Sequence, residues 1–154
     1  MPSKQSIGFT LIELLVVIAI IGILAALVLV ALGNARDKAR AAEIKSGIGQ
    51  FRTLAEVYYN SNWFSYAGLD TCIDDPDDEN CKGGIEDSVY AIRTAMYEAS
   101  EPVTPHIEAN SDATNFCISA ALPPDTTNNI CIDATGVTKE GFPQQCSSSL
   151  LACP

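Results

Sequence analysis

An almost unbroken run of apolar side chains extends from Phe9 to Leu32, and Glu13 is the one charged residue within it. At a rise of 1.5 Å per residue, this run forms a helix of roughly 36 Å, which is long enough to cross a bilayer. An acid inside such a run costs free energy, although less near the membrane edge than at its centre. The pattern therefore predicts a membrane-spanning helix whose carboxylate has a partner.

The hydrophobic period changes after this run. From residue 34 to residue 60 the chain is charged, and apolar side chains recur at spacings of four and three, which predicts an amphipathic helix continuous with the membrane segment. The apolar positions are Ile44, Ile48, Phe51, Ala55 and Tyr58. Gly33, Gly47 and Gly49 each weaken a helix by roughly 1 kcal/mol relative to Ala. They mark either places where the helix bends or melts, or small residues for close helix contact.

Residues 61–154 contain enough chain for one small core. A second helix is predicted over residues 85–99, where apolar positions again follow the helical period. These positions are Ile85, Val89, Ile92, Met96 and Ala99. Residues 116–120 and 129–133 have strand composition and flank a turn at Pro123–Asp125, which predicts a β-hairpin.

All six cysteines of the chain lie beyond residue 61. An even number confined to this part implies disulfides and an oxidising compartment. Six cysteines allow 15 pairings, and the sequence alone does not select among them. The favoured set has three local bridges, with the middle one joining the two strands of the hairpin: Cys72–Cys81, Cys117–Cys131 and Cys146–Cys153. A zinc site is not predicted, because the chain has no Cys-x-x-Cys and its one histidine is His106.

An acidic segment near Cys81 has partial calcium-loop spacing. Asp75, Asp77, Glu79 and Glu86 occupy positions 1, 3, 5 and 12 of a twelve-residue stretch, as in an EF-hand loop. The match fails where Asn80 replaces the glycine at position 6. A solvated acidic loop is the preferred interpretation and a weak calcium site is the alternative; no other cofactor is indicated.

Charge divides sharply along the chain. Residues 34–60 hold five basic and three acidic side chains, whereas residues beyond 60 hold three basic and fifteen acidic ones. The acidic part argues against direct nucleic-acid binding through its surface. An enzyme is not predicted either, because the chain contains no Gly-x-Ser-x-Gly motif, no phosphate loop and no clear nucleophile–base pair.

The stretch Gly8-Phe9-Thr10-Leu11-Ile12-Glu13, which follows a short polar segment with one lysine, resembles the processing motif of type IV prepilins. The resemblance covers about residues 4–32. It implies that prepilin peptidase removes residues 1–8 by cutting after Gly8, and that the new amine of Phe9 is methylated. It also implies that Glu13 pairs with the terminal amine of a neighbouring subunit during assembly. The alternative is that Glu13 only favours the positive end of its own helix dipole.

The family resemblance also implies an α+β pilin-like fold, in which a long N-terminal helix packs on a small antiparallel sheet. Residues 9–60 would form that helix, with 9–32 in the membrane or filament core, and residues 61–154 would form an extracytoplasmic head. The implied function is a structural subunit of a type IV pilus or similar filament. Its partners would be copies of itself, other pilin-like subunits, the membrane, prepilin peptidase and the assembly machinery.

Two other functions remain open at this point. The first is a pseudopilin of a type II secretion system, which would form a short periplasmic filament. The second is a membrane-tethered binding module that never polymerises. In each case the chain begins as a single-span protein of the cytoplasmic membrane with its head outside.

Overall fold

The computed structural model describes residues 9–78, 81, 84–100, 107–124, 127–142, 146 and 151–153. These residues form three helices and four strands: α1 (Leu11–Ser61), α2 (Leu69–Asp74), α3 (Glu86–Ser100), β1 (Ile107–Ser111), β2 (Phe116–Ala121), β3 (Asn129–Asp133) and β4 (Thr138–Phe142). The chain divides into two compact units, an N-terminal unit, Met1–Arg36, and a C-terminal unit, Asp37–Pro154.

The described part of the N-terminal unit is almost entirely α1, and every residue from Phe9 to Arg36 is exposed. An 18-residue window of this helix has a mean hydropathy of 3.4, and none of it is buried. A helix that is apolar on all sides needs an apolar surrounding such as lipid or other helices. The predicted helix of membrane-spanning length is therefore present, and it continues without interruption to Ser61.

The rest of α1 packs within the C-terminal unit on one side only. The predicted apolar stripe is confirmed, because all five of its members are buried: Ile44, Ile48, Phe51, Ala55 and Tyr58. The stripe predicted for α3 is confirmed in the same way, from Ile85 to Ala99. Together with Phe116, Ile118 and Ile132 of the sheet, the two stripes form one hydrophobic core.

Of the three glycines in question, Gly47 lies in the tightest surroundings. A Cβ added there would lie 2.5 Å from Sδ of Met96, which is in α3. The same addition at Gly33 or Gly49 would meet nothing within 4 Å in this chain. Gly47 is therefore explained by close contact between α1 and α3. Gly33 and Gly49 make no such contact within this chain.

The sheet is an antiparallel meander in the order β1-β2-β3-β4. Ile118 pairs with Ile132, and the next pair on the opposite face is Ser119 with Cys131. Side chains alternate between faces along a strand, yet every residue of β2 and β3 is buried. The predicted hairpin and the predicted α+β pilin-like fold are both confirmed.

The disulfides differ in part from the expected pairing. Cys72–Cys81 is present, but the other two bridges are Cys117–Cys146 and Cys131–Cys153. The expected pairs Cys117–Cys131 and Cys146–Cys153 are therefore wrong. The register explains the difference, because Cys117 lies opposite Asp133 and Cys131 lies opposite Ser119. The two strand cysteines are thus diagonal neighbours, and each bonds a cysteine of the C-terminal segment (residues 143–154). Cys146 and Cys153 are buried, and their backbone N–H groups donate to Ser119 and Asp133 of the sheet.

The chain leaves α1 through a tight turn that presents two aromatic rings. Trp63 and Phe64 both have positive φ, at 55° and 60°, and Trp63 is 94% exposed. The side-chain amide of Asn62 donates hydrogen bonds to the carbonyl oxygens of Ser65 and Ala67, at 3.0 and 3.1 Å. These bonds fix the turn, which holds the Trp63 side chain in solvent.

Candidate assembly site at the start of the long helix

Thr10 and Glu13 form a reciprocal cap at the beginning of α1. The backbone N–H and the hydroxyl of Thr10 both donate to Oε2 of Glu13, at 2.9 and 2.7 Å. The N–H of Glu13 donates to Oγ1 of Thr10 at 3.3 Å. This is a capping box, which satisfies N–H groups that a helix start leaves without intrahelical partners. The Thr-x-x-Glu spacing is the signal in the sequence by which this role of Thr10 could have been predicted.

The capping box uses only one oxygen of the Glu13 carboxylate. Within the described part of the chain, Oε1 accepts no hydrogen bond. An ionised carboxylate has about four acceptor positions. The cap therefore leaves Glu13 able to bind a cation from outside its own chain. Glu13 can thus stabilise the start of its own helix and also pair with the amine of a neighbouring subunit.

Apolar side chains surround the carboxylate on one side of the helix. An open groove of about 390 Å³ is lined by Phe9, Ile12, Glu13, Val16 and Val17. Phe9 and Glu13 are four residues apart and share this face, as the spacing predicts. Gly8, the other residue of the predicted cleavage site, lies outside the described residues. The arrangement is a negatively charged oxygen on an otherwise apolar surface, which favours a partner that is both cationic and apolar.

The calcium candidate remains a prediction. Oδ1 of Asp75 accepts a hydrogen bond from the backbone N–H of Asp77 at 3.2 Å, and Glu86 is the first residue of α3. Glu79 lies outside the described residues, so the ligand set cannot be assembled from the structure. Nothing in the described ranges gathers three of these carboxylates around one point.

The described residues do gather three sulfur atoms. Those of Cys117, Cys131 and Cys153 lie within 4.8 Å of one another. Each belongs to a disulfide, and zinc is bound by thiolates rather than by disulfide sulfur. His106, the other residue considered for zinc, lies outside the described residues.

Asp133 holds the C-terminal segment on the sheet, a role that the sequence analysis did not identify. Its carboxylate is buried and accepts hydrogen bonds from the hydroxyl of Thr135 at 2.6 Å and from the N–H of Cys153 at 3.0 Å. Burial alone raises the pKa of Asp133, but the hydrogen bonds from Thr135, Cys153 and Val137 outweigh burial and hold the pKa below its usual value. Asp133 therefore stays ionised inside the protein as a structural anchor.

Comparison with known families supports the predicted resemblance of the N-terminus to the prepilin processing motif. Residues 3–29 match the model of the prokaryotic N-terminal methylation motif. Comparison with curated proteins and with solved structures gives no match for this chain. The matched segment contains the predicted cleavage site, the capping box and most of the exposed apolar helix. The chain thus carries, on a pilin-like α+β fold, the N-terminal motif that is characteristic of type IV pilins and pseudopilins.

Proposed function

We propose that this protein is a structural subunit of a type IV pilus or pilus-like filament, and that it assembles through its N-terminal helix after leader cleavage. One observation carries the proposal. The methylation motif extends into α1, and the apolar side chains from Phe9 to Leu32 are all exposed. Soluble monomers rarely expose apolar patches of more than a few hundred Å². Lipid would cover this surface during storage, and other copies of the same helix would cover it in a filament.

The proposed sequence of events begins with cleavage after Gly8, which converts the backbone nitrogen of Phe9 into an amine that is then methylated. The subunit waits in the cytoplasmic membrane as a single-span protein with its head outside. During assembly, the amine of one subunit binds Oε1 of Glu13 in a neighbouring subunit. Pairing supports assembly because each charge alone is costly in an apolar setting.

The experiment separates the pairing role of Glu13 from its capping role. Glutamine also serves in a capping box, so Glu13→Gln keeps the cap and removes the charge. Thr10→Val does the reverse, since it removes the capping hydroxyl and keeps the carboxylate. Each variant is expressed in the native cell, and the protein is quantified in the sheared surface fraction and in membranes.

We expect Glu13→Gln to accumulate in membranes as the processed form and to be lost from the sheared fraction. Thr10→Val should retain filaments, at a level reduced by the loss of a helix cap worth about 1 kcal/mol. A loss in Thr10→Val as complete as that in Glu13→Gln would mean that assembly needs the cap as well as the charge. Filaments that are unaffected by Glu13→Gln would contradict the pairing role, whereas absence of the unmodified protein from the sheared fraction would favour the tethered binding module.

Processing is tested by the intact mass of the native protein. The expected species begins at methylated Phe9 and has the mass of a chain with all six cysteines oxidised. A chain beginning at Met1 and found only in membranes would contradict the proposal. Gene deletion then distinguishes the two filament types: loss of long sheared filaments indicates a pilus subunit, and loss of protein export indicates a pseudopilin.

A further inference from the structure

A small groove lies on the C-terminal unit, between α3 and the turn that follows α2. It has a volume of about 230 Å³ and is lined by Pro76, Asp77, Tyr90, Arg93, Thr94 and Tyr97. Tyr90 is 62% exposed and Tyr97 is 38% exposed. The two tyrosines are seven residues apart on α3, which is two helical turns or about 10.5 Å. Both rings therefore line the same side of the helix.

Arg93 holds the groove together between the two tyrosines. Its Nη1 donates to the carbonyl oxygen of Ile73 and, at 2.6 Å, to that of Asp74. These bonds tie α3 to the end of α2. The guanidinium also lies 5.8 Å from the centre of the Tyr97 ring, a distance at which a cation is attracted to an aromatic face. The groove is thus fixed by contacts within the protein.

The charges around the groove restrict what it can bind. The described stretches 70–78 and 84–87, which include or adjoin the lining in sequence, contain seven acids and no base, so an anionic ligand is repelled on approach. A cationic ligand would meet the guanidinium of Arg93 inside the groove. Asp77 and Arg93 have opposite charges, so the lining itself carries no net charge. These conditions favour a neutral ligand that is rich in hydrogen-bonding groups and has apolar faces.

We propose that this groove binds a neutral saccharide. The tyrosine rings would pack against the C–H faces of sugar rings, because aromatic side chains offer a flat apolar surface with a polar rim. Asp77 would accept hydrogen bonds from sugar hydroxyls, and Arg93 would donate through the N–H groups of its guanidinium other than Nη1. The volume is below the roughly 300 Å³ at which sites for drug-sized ligands begin. The groove therefore fits one or two units of a longer glycan.

This inference goes beyond the filament function and does not depend on it, since the groove belongs to a single chain. It adds a recognition role: the protein would attach to neutral polysaccharide as well as build a fibre. Failure of filament assembly in Glu13→Gln would leave it unaffected.

The test measures saccharide binding by the full chain in lauryldimethylamine oxide, a detergent without a sugar headgroup. The neutral probes are maltotetraose, cellotetraose and the N-acetylated chitotetraose, and the charged comparison is tetragalacturonate. By titration calorimetry, at least one neutral probe should bind with a Kd on the order of 1 mM. Tyr90→Ala and Tyr97→Ala should each weaken that binding roughly tenfold. Tyr90→Phe and Tyr97→Phe should retain most of it, because the ring is kept.

Trp63→Ala is the matched control, since it removes an exposed aromatic ring that does not line the groove. It should leave saccharide binding unchanged. Thermal unfolding of every variant shows whether a loss of binding comes from a loss of fold, and the exposure of both tyrosines predicts little change in Tm. The proposal is overturned if no neutral probe binds at about 10 mM, if tetragalacturonate binds as tightly as the neutral probes, or if Trp63→Ala weakens binding as much as the tyrosine variants.

Discussion

The two halves of α1 show how one helix can be built for two surroundings. Before residue 37 its apolar side chains lie on all sides, and none of them is buried. Beyond residue 37 apolar residues form a single stripe, and that stripe is buried against α3 and the sheet. Amphipathic helices are stabilised by packing one face within their own fold, whereas helices that are apolar all round depend on lipid or other chains. The first half of α1 therefore needs lipid or other chains to cover its apolar surface, whereas the second half is stabilised by packing within its own chain.

The largest expected effect comes from cutting between the two units. A chain that begins at Asp37 should be soluble and should unfold in one cooperative transition, because the core lies within residues 37–154. It should also lose all membrane association, since the apolar run is removed. Membrane flotation and thermal unfolding by circular dichroism measure both properties. An aggregating product, or one without a cooperative transition, would mean that the C-terminal unit also depends on partners.

The next effect tests what makes the C-terminal unit self-sufficient. Removing the Cys131–Cys153 bridge by changing both cysteines to Ala should lower the free energy of unfolding by about 3 kcal/mol, as expected for the loss of a disulfide across a loop of this length. The C-terminal segment should also become open to proteases. The control is the same change at Cys72 and Cys81, which bridge a shorter loop of 9 residues that does not include the C-terminal segment. This control should lower the free energy of unfolding by a similar amount without exposing the C-terminal segment. Equal proteolysis in both variants would contradict the role of the Cys131–Cys153 bridge in holding that segment.

A smaller effect tests the close contact between α1 and α3 at Gly47. Gly47→Ala should destabilise the protein by about 1–3 kcal/mol, because the new methyl group would overlap Met96 in the core. Gly49→Ala, two residues away and open on that side, should stabilise it by up to about 1 kcal/mol through better helix propensity. Denaturant unfolding measures both values. If the two substitutions shift stability in the same direction, Gly47 does not mark a close contact.

The smallest effect concerns the charge inside the C-terminal unit. The pKa of Asp133 is lower in the folded protein than in the unfolded chain, so below about pH 4 the unfolded state binds more protons. The stabilisation from this group is present above that pH and is lost as the pH falls through the lowered pKa. Asp133→Asn should therefore be less stable than the wild type near pH 7, and the gap should narrow below about pH 4. Glu98→Gln, at an exposed acid of α3, is the control. A stability difference between Asp133→Asn and the wild type that does not depend on pH would contradict the lowered pKa of Asp133.

Those features of the fold that depend on local periodicity could be predicted from the sequence. The buried stripe from Ile44 to Tyr58 follows from helical spacing, and the β2–β3 hairpin follows from strand composition around a proline turn. The disulfides of the sheet could not be predicted, because their partners are fixed by strand register and by the path of the C-terminal segment. Asp133 was missed for the same reason, since one of its partners, Cys153, is 20 residues away along the chain.

At the candidate assembly site, the sequence placed Phe9 and Glu13 on one helix face without any tertiary information, since four residues make about one turn. It did not reveal that Thr10 already holds one oxygen of the carboxylate. That contact depends on where the helix starts, and helix ends are the least certain part of a prediction from sequence.

The position of Trp63 makes it a built-in optical reporter. It is the single tryptophan of the chain and lies almost wholly in water, so its emission should change little when the core melts. Its emission should instead shift to shorter wavelength whenever another molecule covers the turn after α1. Fluorescence of the unlabelled protein can therefore report in real time the binding of any partner that covers this turn, on a background that unfolding hardly disturbs.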